Sequence, residues 1–79
     1  MIKLYTMNDC HWCTKEEEYL KSTGKKFDIV NVEKDLKAKK EMINKSHQNQ
    51  VPVLDVDGKI IVGFNKIAIS EAIYGYTWS

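Results

Sequence analysis

Cys10 and Cys13 stand two residues apart in Cys10-His11-Trp12-Cys13 and are the two cysteines of this 79-residue chain. Two thiols at that spacing can close into a disulfide and reopen, one sulfur attacking as thiolate and the other resolving the mixed disulfide. Metals use the same spacing. Zinc or an iron–sulfur cluster needs four ligands where one C-x-x-C supplies two, so a metal or cluster carrier would need a dimer to complete the set. A structural staple gains little here, because closing a four-residue ring constrains the unfolded chain by only about 2 kcal/mol.

The elements around the pair decide between these readings. Ile2-Lys3-Leu4-Tyr5-Thr6 alternates apolar with polar and reads as a strand. After a loop over Met7 to Asp9, with Asn8 or Asp9 as cap, the pattern predicts a helix from His11 through Thr23, stopped by Gly24. Cys10 then lies at a helix N-terminus, where free amides and the dipole favour a thiolate, whereas inert cysteines have no reason to sit there. Cys13 and Leu20 share one helix face, and Lys15, Glu18 and Lys21 turn outward.

Phe27 to Val32 predicts a second strand, parallel to the first through a right-handed crossover. A helix over Asp35 to Ser46 follows, with Leu36, Met42 and Ile43 as its apolar residues. Val51 to Val56 reads as a strand that Pro52 opens, Asp57-Gly58 as a hairpin turn, and Lys59 to Val62 as the return strand. Asn65 caps a last helix with Ile69, Ala72 and Ile73 on its buried stripe, and Gly75 ends it. The order β-α-β-α-β-β-α gives an α/β domain over residues 1–79, a four-stranded mixed sheet with helices on both faces.

Composition narrows the function classes. The net charge is +1, and all twelve cations are lysines, so the planar arginine fork that grips phosphates and base edges is missing. This points away from nucleic acid. No apolar run approaches the roughly 18 residues that span a bilayer. Met1 to Tyr5 enters a strand pattern at once and leaves no space for a secretory leader, which predicts a cytoplasmic protein, where structural disulfides are rare.

A C-x-x-C between the first strand and helix, Val51-Pro52 opening a hairpin strand and a glycine at the hairpin's end together resemble the glutaredoxin-like proteins of the thioredoxin fold. The likeness covers nearly the whole chain. It implies a cis peptide before Pro52, facing the dithiol, with the Val51 backbone offered to an extended substrate. Val51, Pro52, Gly63 and Phe64 are the substrate-binding positions that the resemblance implies.

Glutathione-using members usually carry C-P-Y-C, where this chain has His11 and Trp12. Many have a lysine three residues before the first cysteine, and here that residue is Met7. A Gly-Gly followed shortly by Asp is also usual, whereas Gly63 is followed by Phe64 and then by Lys66 and Ile67 without a carboxylate. Gly63-Phe64 is similar instead to small bacterial redoxins, some of which are recharged by thioredoxin reductase.

On this reading Cys10 is the nucleophile and Cys13 the resolving thiol. Lowering a thiol from about 8.5 to about 6 raises its thiolate fraction at pH 7 from about 3 % to about 90 %. Intrinsic nucleophilicity falls roughly ten- to twentyfold over the same change, so the larger gain comes when Cys10 departs from the mixed disulfide. His11 as imidazolium would further favour the thiolate. Trp12 offers an apolar lip to a partner, and His47 is a surface residue near a helix end. Glu16 and Glu17 lie close to the Cys13 face and are expected as a solvated edge balancing Lys15 and Lys21, with proton acceptance from Cys13 as the alternative.

The expected protein is a monomeric thiol–disulfide oxidoreductase acting on disulfide-containing proteins or small thiols. It binds no cofactor and is recharged by an external reductant, either glutathione or a thioredoxin-reductase system. A redox-switched binding module is the remaining alternative to the metal carrier. For the tail, Tyr76 and Trp78 either fold back or fray.

Overall fold

Leu4 and Tyr5 are both fully buried, on opposite faces of one strand, and this alternation decides which helix packs where. The computed structural model describes residues 1–75, so Tyr76 and Trp78 lie outside the described residues. Its elements are β1 (Ile2–Thr6), α1 (His11–Ser22), β2 (Asp28–Asn31), α2 (Leu36–Ser46), β3 (Val53–Val56), β4 (Lys59–Val62) and α3 (Lys66–Tyr74).

The sheet order is β2-β1-β3-β4. β1 runs parallel to β2 with Leu4 opposite Ile29, as a crossover through α1 requires. β3 returns antiparallel to β1 with Leu4 opposite Leu54, and β4 pairs antiparallel with β3. The Asp57–Gly58 turn has positive φ at both residues, 50° and 94°, which matches the twist of a two-residue hairpin. The order and the mixed sheet agree with the sequence.

One face of the sheet turns Ile2, Leu4, Leu54 and Val56 towards Leu20 of α1 and Ile69 of α3, with Phe27, Ala72 and Ile73 packed alongside. On the other face Tyr5 and Val53 meet Ala38 and Met42 of α2. Each fully buried Leu, Ile or Met contributes about 1.5–3 kcal/mol relative to exposure, so these two layers hold the frame of the site.

Several boundaries differ from expectation. β2 is shorter than Phe27–Val32, although the Val32 amide still donates to the Thr6 carbonyl at 2.9 Å. β3 begins at Val53, since Pro52 has no amide to give to a ladder. Neither Asn8 nor Asp9 caps α1; Cys10 does. Leu36 and Ile43 are not core residues, being 66 % and 37 % exposed, and α2 buries Ala38 and Met42.

That rotation of α2 has a polar cause. Lys3, Tyr5 and Asp55 project from the same sheet face, and Glu41 and Lys45 of α2 turn inward to meet them. Lys3 donates to Glu41 at 2.9 Å, Lys45 to Asp55 at 2.7 Å and to the Tyr5 hydroxyl at 3.2 Å, and the Tyr5 hydroxyl also donates to Glu41. Ala38, Glu41, Met42 and Lys45 form one helical stripe, which leaves Leu36 and Ile43 outside. His47 ends α2 in the left-handed region at φ 59° and is exposed, as its place near a helix end suggested.

Candidate active site

The site is built where β1 hands the chain to α1. Asn8 anchors this loop to the start of the next crossover: its amide donates to Glu33 Oε1 at 3.0 Å, and its side-chain oxygen accepts from Asn31 at 2.9 Å. Asp9 then turns the chain at φ 54°. Cys10 follows as N-cap in extended conformation, and its sulfur accepts the Cys13 amide at 3.1 Å. Its carbonyl takes both the Thr14 amide and the Thr14 hydroxyl, each at 3.2 Å. A cap position normally filled by a side-chain oxygen is thus filled by sulfur.

Cys10 and Cys13 are joined in a disulfide, with Cα atoms 5.2 Å apart. Their exposures differ in a way that matters for chemistry. Cys10 is half-buried and borders an open polar cleft of about 530 Å³ with Thr6, Met7, Asp9, His11, Thr14 and Glu17, whereas Cys13, which also borders it, is only 3 % exposed. Cys10 is therefore the more exposed of the two cysteines. Among the described residues no group of three or more His, Cys, Asp or Glu side chains is arranged to hold a metal ion.

A second, apolar groove of about 260 Å³ brings together Trp12, Val51, Pro52, Gly63 and Phe64. The Val51–Pro52 peptide is cis, and the Pro52 carbonyl accepts the Gly63 amide at 2.9 Å, which ties the loop before β3 to the end of β4. Gln48 braces that loop from the other side, its side-chain amide donating to the Gln50 carbonyl and accepting the Gln50 amide. Trp12 is 57 % exposed and lies tilted against Phe64 with ring centroids 6.1 Å apart. Phe64 in turn meets Tyr19 edge-on, and the Lys66 ammonium lies 5.9 Å from the Phe64 ring.

A model of the glutaredoxin family matches residues 2–61, more than half of the chain. The chain belongs to the glutaredoxin family. This glutaredoxin is 51 % identical over 73 residues to a glutaredoxin-like 8.6 kDa protein of the rubredoxin operon of Clostridium pasteurianum, covering 92 % of this chain and 97 % of that one. Among solved structures it is similar to the thioredoxin-like protein BC3987, with TM-score 0.86 and 25 % identity over 91 % of this chain and 99 % of that one. It is also similar to the glutaredoxin-like protein NrdH-redoxin of Escherichia coli, with TM-score 0.78 and 27 % identity over 89 % and 91 % of the two chains. The fold is thioredoxin-like.

The positions singled out in the sequence of this glutaredoxin thus fall into two clusters that share one helix start. Cys10, His11 and Cys13 line the polar cleft, while Trp12, Val51, Pro52, Gly63 and Phe64 line the apolar groove. His11 and Trp12 are both exposed, with ring centroids 5.4 Å apart. Glu17 borders the polar cleft and pairs with Lys21 at 3.0 Å, a solvated edge as expected.

Glu16 corrects that expectation. It is fully buried rather than solvated, neither carboxyl oxygen has a hydrogen-bond partner, and burial pushes its carboxyl up to about 8. Helical spacing gave the signal: Cys13, Glu16 and Leu20 are the buried residues of α1, at i, i+3 and i+7.

Proposed function

We propose that this glutaredoxin is a thiol–disulfide oxidoreductase that reduces protein or low-molecular-weight disulfides. The carrying observation is the Cys10 sulfur at the α1 N-cap, bonded to a buried Cys13 and accepting its amide at 3.1 Å. That position favours a thiolate at the more accessible sulfur and a resolver beneath it.

The reduced Cys10 thiolate attacks one sulfur of the substrate disulfide, forming a Cys10–substrate bond and expelling the other sulfur as a thiolate. Cys13 then attacks Cys10, the Cys10–Cys13 bond forms and the second substrate thiolate departs. Two electrons have passed from the dithiol to the substrate. The groove of Trp12, Val51, Pro52, Gly63 and Phe64 supports an extended chain beside the reacting sulfur. Its apolar character suits a polypeptide better than a charged tripeptide.

No bound cofactor takes part, and one chain supplies both sulfurs and the groove, so a monomer suffices. The external reductant is a thioredoxin reductase rather than glutathione. Met7, Phe64, Lys66 and Ile67 stand where glutathione-binding members carry other residues. The similar Escherichia coli redoxin is described as having a thioredoxin-like activity profile. No helix among the described residues is long and apolar enough to cross a membrane, and a reducing cytoplasm is the compartment in which this chemistry runs.

The test offers the oxidised protein two reducing systems side by side: glutathione with its reductase, and thioredoxin reductase with its nicotinamide cofactor. Faster recharging by thioredoxin reductase is expected. Faster recharging by glutathione overturns the choice of reductant, and failure of the protein to reduce any disulfide overturns the reading as a whole.

A further inference from the structure

Glu16 has no part in the chemistry described so far. Both of its carboxyl oxygens are buried without a partner, and among the described residues no other buried side-chain oxygen or nitrogen is left so. Such a group weakens the fold unless it is neutral or has a use. Three residues after Cys13 on a helix, it lies on the same face one turn below. Helical side chains lean towards the N-terminus, so the carboxyl of Glu16 leans back towards the turn that carries Cys13.

Cys13 in turn has little contact with bulk water that could take its proton. Resolution needs the Cys13 thiolate, yet this residue is 3 % exposed. On the polar cleft that Cys13 borders, Asp9 and His11 are exposed to solvent, and the layer beneath is apolar. β1 and β3 turn Ile2, Leu4, Leu54 and Val56 to it, and α3 turns Ile69. Lys3, Tyr5 and Asp55 of those strands meet Glu41 and Lys45 on the opposite sheet face. Asp28, Lys59, Lys66, Glu71 and Tyr74 on the neighbouring elements are exposed. On α1 itself Tyr19 is bonded to Ser70 at 2.6 Å, and Glu17 is paired with Lys21.

We infer that Glu16 is the buried acid–base partner of Cys13, taking the thiol proton as that sulfur attacks the mixed disulfide and returning it when the Cys10–Cys13 bond is reduced. The inference rests on the oxidoreductase reading above. In the forward step the Cys13 S–H proton passes to the Glu16 carboxylate, the Cys13 sulfur bonds to Cys10, and the Cys10–substrate bond breaks with both its electrons on the departing thiolate. In the reverse step an external dithiol supplies two electrons, and the Glu16 carboxylic acid protonates the Cys13 sulfur as it leaves. A carboxyl that burial pushes up to about 8 in the disulfide form is largely protonated at pH 7, as a store for that return step must be.

A chromogenic disulfide such as dithiobis(nitrobenzoate) separates the two steps, because attack by Cys10 and resolution by Cys13 each release one coloured thiolate. In single turnovers of the reduced full chain, Glu16→Gln is expected to release the first thiolate at the parent rate. The second should slow at least tenfold at pH 7, and its rise with pH should move to higher pH, where the Cys13 thiol ionises without help. Glu16→Asp should keep the parent's rise, and Glu16→Leu, which puts an apolar side chain in an apolar place, should match Glu16→Gln. Second release from Glu16→Gln or Glu16→Leu at the parent rate and with the parent pH profile overturns the inference while the oxidoreductase reading stands. A parent that releases neither thiolate overturns both.

Discussion

The Cys13 amide donates to the Cys10 sulfur at 3.1 Å, so the first turn of α1 closes on the sulfur to which Cys13 is covalently bonded. The same amide that steadies the oxidised pair is aimed at the place where negative charge gathers after reduction. A thiolate accepts this bond better than a thiol, and the helix dipole acts in the same sense.

Alkylation reports that preference. Reduced protein treated with iodoacetamide across pH, with the modified residue mapped by mass, should label Cys10 with a midpoint well below the ordinary thiol value of about 8.5. Replacing His11 by Pro tests its tuning role, and a midpoint that moves upwards assigns that side chain a share in favouring the thiolate. An unchanged midpoint in His11→Pro removes His11 from the account and leaves the helix terminus as the cause.

Glu16 sets a stability signature. Its folded value near 8 lies above its ordinary value of 4.5, so the native state holds this proton more tightly than the unfolded chain. The stability that this preference confers is fully present below about pH 4.5 and is lost as pH rises through 8. The gain of Glu16→Leu over the oxidised parent should therefore grow with pH, by on the order of 3 kcal/mol between pH 5 and pH 9. Urea midpoints at the two pH values measure it, and parallel shifts would contradict the assignment.

Local chain chemistry made most of the frame legible. Asp57-Gly58, Asn65, Gly75 and Gly24 each carry a turn or cap signal that the backbone obeys, with Gly24 at φ 74° and Gly75 at φ 78°. Val51 and Pro52 were placed beside Gly63 and Phe64 through the family resemblance, and the groove unites them. What sequence left open depends on contacts between elements. The expected core positions Leu36 and Ile43 point outward because Glu41 and Lys45 are drawn to Lys3, Tyr5 and Asp55, partners on two different strands. Glu16 reads as surface in the sequence because a carboxylate ordinarily is, although its spacing from Cys13 and Leu20 places it inward.

The α2 network supplies an acid-sensitive contribution. Hydrogen bonds from Tyr5 and Lys3 hold the Glu41 carboxyl down at about 2, and bonding to Asp55 raises Lys45 above its ordinary range. A depressed carboxyl stabilises the fold above its ordinary value near 4.5 and loses that effect as pH falls towards 2. Glu41 is 43 % exposed, so the effect is discounted for screening to about 1 kcal/mol. Parent stability should exceed that of Glu41→Gln by this amount at pH 6, and the difference should vanish by pH 2.

The apolar groove should act on binding rather than on bond exchange. Trp12→Ala and Phe64→Ala each remove one ring of a pair with centroids 6.1 Å apart. An aromatic pair contributes about 1 kcal/mol, which corresponds to a rise in KM of about fivefold for a protein disulfide. The kcat should hold, and a loss confined to kcat would place these rings in the exchange step.

The division of labour between the two sulfurs is the centre of the account, and trapping with a protein disulfide tests it most directly. Intact and peptide masses of Cys13→Ser should show a mixed disulfide accumulating at residue 10, while Cys10→Ser should form none. A mixed disulfide at Cys13 in Cys10→Ser, with Cys10 unreactive in Cys13→Ser, would contradict it.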